Sequence, residues 1–182
     1  HSHYLRSIIN HKSIKMKKLV LLLLLSGSLL SCNQNQNQID QGMALFNQNA
    51  KRVHELFNAL ENEDLNTAAS FFSEDVKFNQ PAYEGKEWDK EGILQNYNGF
   101  FQLLNNIKAN DRDFYPGVDA KFIPDGAVRA YVKWTADLEG NPMEGIKAYE
   151  VFVFDENNKI IQVDEYMDVS GMLNKIGALS SK

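Results

Sequence analysis

The pattern of apolar and polar residues is most regular between Gly145 and Asp168, where it predicts a long β-hairpin. Two runs rich in Val, Ile, Phe and Tyr flank a polar turn over residues 155–158. Successive side chains of a strand point to opposite faces of the sheet. One face of the hairpin therefore carries Ile146, Ala148, Glu150, Phe152 and Phe154 on the first arm and Ile161, Val163, Glu165 and Met167 on the second. Each set is apolar except for one glutamate.

The chain just after Gly42 has the periodicity of a helix rather than that of a strand. Apolar residues recur at steps of three and four and predict one face of an amphipathic helix. This stripe consists of Phe46, Ala50, Val53, Phe57 and Leu60. Asp64 then has the position of the N-cap of a second, short helix that continues through Phe71 and Phe72.

A strand and a third helix are predicted next. Residues 73–75 (Ser-Glu-Asp) are expected to turn the chain, and residues 76–80 alternate as a strand that Pro81 ends. The third helix is predicted from about Trp88 to Leu104. Its inward side chains are expected to be Leu94, Tyr97, Phe101 and Leu104.

Strands dominate the remainder of the chain. A strand is expected within residues 107–123, and residues 128–136 alternate clearly, with Val128, Ala130, Val132, Trp134 and Ala136 on the apolar side. Asp168 is predicted to cap a last helix that ends at Gly177. Because the helices come mainly first and an antiparallel meander follows, the fold class is α+β.

The N-terminal region resembles the export signal of a bacterial lipoprotein. Residues 1–15 precede Met16 and are expected to lie upstream of the native start. Residues 16–31 combine two lysines with an apolar run too short to span a bilayer, and residues 29–32 (Leu-Leu-Ser-Cys) resemble a lipobox. We therefore expect Cys32 to be acylated and to anchor the protein to a membrane of the cell envelope, facing the periplasm in an organism of Gram-negative type.

The signal-like segment also divides the chain into expected regions. Residues 32–41 are interpreted as a lipid-anchored polar tether without regular structure, since residues 33–38 are a run of Asn and Gln. Residues 42–177 are interpreted as the folded domain and residues 178–182 as a tail. No other cysteine is present, so a disulfide framework is excluded.

Charge and composition limit the classes of partner and ligand that are expected. Residues 1–31 hold five of the 19 basic residues and none of the 24 acidic ones, so the chain from Cys32 onward has 14 basic against 24 acidic residues, a net charge of −10. Such a surface repels a phosphate backbone, and no nucleic-acid partner is expected. His54 is the one histidine after Cys32 and is interpreted as a surface or hydrogen-bonded residue. We predict no metal site and no cofactor.

Five short segments of the chain are informative when they are taken together in their order and spacing. They are residues 56–60 (Leu-Phe-Asn-Ala-Leu), 63–65 (Glu-Asp-Leu), 72–76 (Phe-Ser-Glu-Asp-Val), 153–161 and 166–168 (Tyr-Met-Asp). In these segments the chain resembles the nuclear transport factor 2-like superfamily, with the SnoaL-like polyketide cyclases and ketosteroid isomerases as the nearest groups. The resemblance covers about residues 42–177. It implies a cone-shaped α+β barrel in which three N-terminal helices pack on a curved antiparallel sheet, and an interior that holds a small, mostly apolar ligand.

The resemblance does not extend to the ketosteroid isomerase residues. The aspartate that moves the proton in those enzymes corresponds to Gln80, and an amide is not a base. Their oxyanion-binding tyrosine corresponds to Leu56, which has no donor. Their second oxyanion donor, a protonated aspartate, corresponds to Glu150, where a carboxyl group is kept. Steroid isomerisation is therefore not expected.

A candidate site follows from the predicted concave face. Glu150 and Glu165 are the candidate catalytic residues, because desolvation and mutual repulsion would leave one of them protonated near neutral pH. The expected ligand-binding side chains are Phe78, Gln80, Trp134, Ala148, Phe152, Val163 and Met167. Alternatively, one or both carboxylates reach solvent at the mouth of the cone or hydrogen-bond to the backbone or to Tyr side chains. A strand phase displaced by one residue would turn both outward.

Three functions from different classes remain open at this point. The first is a lipid-anchored module that binds a small hydrophobic molecule without transforming it. The second is a SnoaL-like isomerase, cyclase or hydratase that uses Glu150 and Glu165 for proton transfer. The third is an interaction domain, whose outer sheet face with Tyr131, Tyr149 and Val151 forms a homodimer or docks a partner.

Overall fold

The structure, a computed structural model, describes residues 35–82 and 84–180. Its helices are α1 over residues 35–61, α2 over Leu65–Phe71, α3 over Lys90–Leu103 and α4 over Val169–Ser180. Its strands are β1 over Phe72–Asn79, β2 over Glu87–Trp88, β3 over Asn105–Val118, β4 over Pro124–Leu138, β5 over Asn141–Phe154 and β6 over Ile160–Met167. A compact unit covers Gly42–Lys182 and contains all of these elements except the start of α1.

The strands form one six-stranded sheet in the order β2-β1-β6-β5-β4-β3. The long strands β3 to β6 form the antiparallel meander that the sequence predicts. Strand β1 pairs with β6 in parallel, so the sheet is mixed rather than purely antiparallel. Its two edges, β2 and β3, are not paired with each other, and the curled sheet stays open. The α+β cone fold is otherwise as predicted.

The hydrophobic core lies between the concave face of the sheet and the helices. The apolar stripe of α1 is inward, and the adjacent Leu56 is also fully buried. Strand β4 contributes Val128, Ala130 and Val132 by strict alternation, and Phe152 of β5 completes the layer. Phe57 contacts Phe152 and Trp134 edge-on, at ring-centroid distances of 6.0 Å and 5.1 Å. The apolar stripe of α1 therefore packs against the concave face of the sheet.

An ion pair connects α1 to β3. Glu61 lies 2.7 Å from Arg112 and also accepts a hydrogen bond of 2.7 Å from the N–H of Ala109. Burial alone raises the pKa of Glu61, but these hydrogen bonds and the guanidinium charge outweigh it and lower the pKa below its ordinary value. Arg112 also donates to Asn58 at 2.7 Å and contacts Nδ1 of His54 at 3.2 Å. His54 is thus a hydrogen-bonded residue of this network.

Two predictions of local structure in the first half of the chain were wrong. Residues 35–41 are helical instead of unstructured, and within them Gln36 donates to Asp40 at 2.9 Å, one turn later. Residues 73–75 belong to β1 rather than to a turn, because the strand begins directly where α2 ends and Phe72 pairs with Ile160. The predicted caps at Asp64 and Asp168 are confirmed by side-chain bonds to the N–H groups of Thr67 and Gly171.

Two predictions near the end of the chain were also wrong. The alternation placed Ile161 inward, but the β5–β6 register shifts beside Phe154, so Phe154 pairs with Ile160 and Ile160 is fully buried. Helix α4 does not end at Gly177 but continues to Ser180, since a glycine within a helix is tolerated at modest cost.

Across the part of the chain that the structure describes, none of the helices combines the length and apolar character needed to cross a membrane.

Candidate functional site

A cavity of about 520 Å³ lies between the sheet, α3 and α4. Most of its wall is apolar. The sheet side consists of Phe78, Ile107, Trp134, Thr135, Ala136, Met143, Gly145, Ile146, Lys147, Glu150, Glu165 and Met167. The helical side consists of Leu60, Asn96, Tyr97, Phe100, Phe101, Leu104, Asp168, Gly171, Met172 and Lys175. The volume is in the range that holds a small organic molecule.

Two carboxyl groups face this cavity from adjacent strands. Glu150 on β5 pairs directly with Glu165 on β6, which places their Cβ atoms about 4.5–5.5 Å apart by ordinary sheet geometry. Glu150 is only 6% exposed. Its Oε1 accepts a hydrogen bond of 3.1 Å from Nε1 of Trp134. Among the described residues, no hydrogen bond reaches the other oxygen of Glu150 or either oxygen of Glu165.

Burial and proximity hold this pair in a partly protonated state. Burial raises the pKa of Glu150 to about 7, and the Trp134 hydrogen bond moderates that rise. Burial, and then the negative charge of Glu150, raises the pKa of Glu165 to about 8. Because the two groups interact, their protons belong to the pair rather than to either side chain. The site can therefore give up or accept a proton near neutral pH.

Tyr97 brings a phenol from α3 to the same region. Burial, followed by the charges of Glu150 and Glu165, raises the pKa of Tyr97 well above its usual value. The phenol is therefore neutral over the physiological range and keeps its O–H as a donor. Asn96, its neighbour in the cavity wall, adds an amide.

A bulge in β5 shapes the floor of the cavity. The β4–β5 register shifts between Trp134 and Ala136, and Gly145 at this point has φ of +101°. A Cβ atom there would lie 2.7 Å from the carbonyl oxygen of Trp134, so a side chain would be both strained and crowded. The bulge bends the strand, and Gly145 itself forms part of the wall.

The structure brings together most, but not all, of the side chains predicted for the site. Phe78, Trp134, Glu150, Glu165 and Met167 line the cavity. Phe152 and Val163 do not, because they are 1% exposed and lie deeper, in the core of the cone, as does Ala148. Gln80 donates to the backbone of Lys86 at 2.8 Å and is not part of the wall. The alternation therefore predicts correctly on which face of the sheet a side chain lies, but not whether it lies in the cavity wall or deeper in the core.

Sequence reasoning missed the helical side of the cavity. Tyr97 and Phe101 were predicted to be inward, yet neither was assigned to the site. The contribution of Met172 and Lys175 from α4 had no signal beyond their place in an amphipathic helix. Cys32, the predicted lipidation residue, lies outside the described residues. Within the described residues, no group of three or more His, Cys, Asp or Glu side chains is placed to hold a metal ion.

The fold and the cavity define a class, the α+β cone domains that enclose a small-molecule cavity. BvnE pinacolase from Penicillium brevicompactum superposes with a TM-score of 0.61 at 14% identity, over 76% of this chain and 99% of that one. A protein described as a SnoaL-like polyketide cyclase, from Shewanella denitrificans, gives 0.55 at 13% identity, over 71% and 97%. A steroid delta-isomerase from Pseudomonas aeruginosa gives 0.50 at 15% identity, over 71% and 87%.

These likenesses establish the fold: the chain folds as the pinacolase, the SnoaL-like cyclase and the steroid delta-isomerase do, in agreement with the fold that the sequence resemblance implies. Neither a protein-family model nor a curated protein matches the sequence of this chain.

Proposed function

We propose that the domain binds a small, mostly apolar molecule in the cavity, with the polar group of that molecule at Glu150 and Glu165. The observation that carries this proposal is the cavity of about 520 Å³, whose wall is largely apolar but contains this directly paired set of acids. Apolar walls with a few convergent polar groups are typical of small-molecule sites. The fold shared with the structures above supports the same class of function.

The tryptophans provide a direct binding assay. The sequence contains two: Trp134 in the cavity wall, and Trp88, which stacks on Phe78 at 5.5 Å. In Trp88→Phe, the emission reports only on Trp134, and we expect it to change when a steroid, polyphenol or fatty alcohol binds. Trp134→Phe is the matched control. Ala136→Phe, which fills the cavity, should abolish the change, and a full response in that variant would contradict binding at this site.

Acid–base catalysis is the second candidate function, and the titration of the pair favours it. A general acid or base works best when its pKa lies near the working pH, and those of Glu150 and Glu165 are raised to about 7 and 8. Isomerisation, cyclisation and hydration all need such a group. We expect ketone ligands to exchange α-protons in D₂O, measured by NMR, and Glu150→Gln with Glu165→Gln to stop the exchange. Glu156→Gln in the exposed turn is the control.

We also infer that the domain is delivered to a membrane through acylated Cys32. This rests on the lysines and short apolar run of residues 16–31 and on the lipobox-like residues 29–32. The expressed protein should partition into detergent and incorporate labelled fatty acid, and Cys32→Ala should lose both properties. Wild-type protein released without label would contradict the anchor.

We propose, as a third candidate function, an association of two copies through the outer face of the sheet. Tyr115, Tyr131, Tyr149 and Tyr166 form a row across β3 to β6, with neighbouring ring centroids 4.9–5.8 Å apart. Exposed aromatic rows are common in protein interfaces. Such association is compatible with either cavity function.

A further inference from the structure

Among the described residues, Glu61, Glu150 and Glu165 are partly or fully removed from water, and of these three acids Glu61 alone has a counter-ion. Glu61 is paired with Arg112 at 2.7 Å and receives a backbone hydrogen bond. Glu150 and Glu165 are also removed from water, but within the described residues no Lys or Arg forms an ion pair with either. Burying carboxylates without a cation is unfavourable. The cavity pair therefore lacks the compensation that the fold provides for Glu61.

Five aromatic residues line the cavity that contains the two glutamates. Tyr97, Phe100 and Phe101 come from α3, and Phe78 and Trp134 come from the sheet. The face of an aromatic ring attracts a cation, more strongly when water is excluded. Carboxyl groups without an ion-pair partner, in a cavity with aromatic rings in its wall, form a site that can accept a cation.

We propose that the ligand of this cavity is a lipophilic amine, whose ammonium group lies against Glu150 and Glu165 and whose apolar part fills the remaining space. The proposal rests on the proposed binding function and specifies its ligand class. One carboxyl oxygen of Glu150 and both of Glu165 are without hydrogen-bond partners in the described chain and are free to accept from the ammonium group. The side chains of Ala136, Met143 and Met172 provide the apolar surface for the tail.

The other charged and titratable groups of the cavity wall do not neutralise the two glutamates. They are Tyr97 on α3, Lys147 on β5, Asp168 at the start of α4 and Lys175 on α4. Tyr97 is neutral, and the two lysines are exposed and form no ion pair with the glutamates. An ammonium group would favour the charged form of both carboxyls. Binding should therefore release protons from the pair, and the release should be largest near and below pH 7.

Three probes with the same tail separate the head-group chemistries. Octylamine, 1-octanol and octanoate present an ammonium, a hydroxyl and a carboxylate on one alkyl chain. Isothermal titration calorimetry at pH 7, in two buffers of different ionisation enthalpy, measures both affinity and protons released. We expect octylamine to bind at least about tenfold more tightly than 1-octanol, octanoate to bind most weakly, and only octylamine to release protons.

Substitutions then test whether Glu150 and Glu165 cause the preference for octylamine over 1-octanol. Glu150→Gln combined with Glu165→Gln removes both charges but little volume, and should bring octylamine to the affinity of 1-octanol. Glu156→Gln, in the exposed turn of the same hairpin, should leave the tenfold preference unchanged. The comparison of probes on the wild-type protein does not depend on whether the double variant folds.

The outcomes distinguish this inference from the function on which it rests. If 1-octanol binds as tightly as octylamine, or if octylamine binds without releasing protons, the amine inference is wrong while cavity binding stands. If octylamine fails to bind while other apolar molecules change the Trp134 emission, the inference is again wrong. If neither these probes nor the wider ligand set binds, both proposals are contradicted.

Discussion

Two neighbouring residue pairs of the β5–β6 hairpin reverse the usual distribution of residues between its faces. Tyr149 pairs with Tyr166 on the outer face, where Tyr166 is 58% exposed, and the adjacent residues Glu150 and Glu165 pair on the inner face. At these paired positions, aromatic rings face outward and acids face inward. Because most large apolar side chains are buried and most carboxyl groups are exposed, the inversion indicates that neither pair is there only to stabilise the fold.

The same hairpin also contains a third acid, which sharpens the contrast. Asp164, beside Glu165 but on the outer face, accepts hydrogen bonds from Asn79 at 2.5 Å and Gln162 at 2.9 Å. Glu165 has no such bond from any described residue. An acid with partners is part of the structure, whereas a buried acid without them is a candidate for function.

The largest effect should come from truncating the inner face below the cavity. Phe152 is 1% exposed and contacts Phe57, whereas its neighbour Val151 lies on the outer face. We expect Phe152→Ala to lower the free energy of unfolding by about 3–5 kcal/mol and Val151→Ala by less than about 1 kcal/mol. Urea denaturation measures both. Equal losses would mean that the two faces are not distinguished as described.

A somewhat smaller loss is expected at Trp134, the residue that joins the core to the acids. Trp134→Ala removes an edge-on contact with Phe57 and the donor to Glu150, and should lower the free energy of unfolding by about 3 kcal/mol. Trp134→Phe keeps most of the ring contact but removes the donor, so the pKa of Glu150 should rise further. NMR titration of the Glu150 side chain measures that rise, and an unchanged titration would show that the hydrogen bond does not form.

The next prediction concerns Glu165 on the inner face, which should make the stability of the domain depend on pH. Because the pKa of Glu165 is raised to about 8 in the folded state, the unfolded chain releases this proton more easily. The resulting destabilisation is absent at pH 4 and grows until the pH passes about 8. Glu165→Gln should therefore raise Tm above pH 7 by several degrees and leave it unchanged near pH 4.

Glu156→Gln, in the exposed turn, controls for the loss of one charge and should show no such pH-dependent gain. A Glu165→Gln variant that is less stable than wild type at pH 8 would mean that the carboxylate is ionised and well paired. Acid–base catalysis would then lose its basis.

The smallest effect on the single domain is expected on the outer face. Cross-strand aromatic pairs contribute about 0.2–1 kcal/mol, so Tyr166→Ser should change the stability of an isolated domain by less than about 1 kcal/mol. If the tyrosine row joins two copies, the same change should abolish self-association in sedimentation velocity. Wild-type protein that stays monomeric at all concentrations would contradict the dimer proposal.

The faces of the hairpin, but not the complete cavity, followed from the sequence. Alternation placed Glu150 and Glu165 on the concave face, because strand periodicity is local. It failed at Ile161, where a register shift depends on pairing with Phe154. It also placed Phe152 in the site, since periodicity gives direction and not depth.

The helical wall could not be predicted in the same way. Tyr97 reaches the glutamates only because α3 packs over the sheet, across contacts between residues distant in the chain. The parallel pairing of β1 with β6 has no local signature either, since the hydrophobic pattern of a strand does not specify which strand lies beside it.

That parallel pairing has a consequence for how the protein is made. Asn79 and Asp164, which lie side by side on β1 and β6, are 85 residues apart in the chain. Pairings of such long range are slow to form, because much of the chain must be ordered before they contribute. A growing polypeptide cannot complete this sheet until β6 has been synthesised. Folding is therefore a late event, and the two acids of β5 and β6 enter their enclosure only at its end.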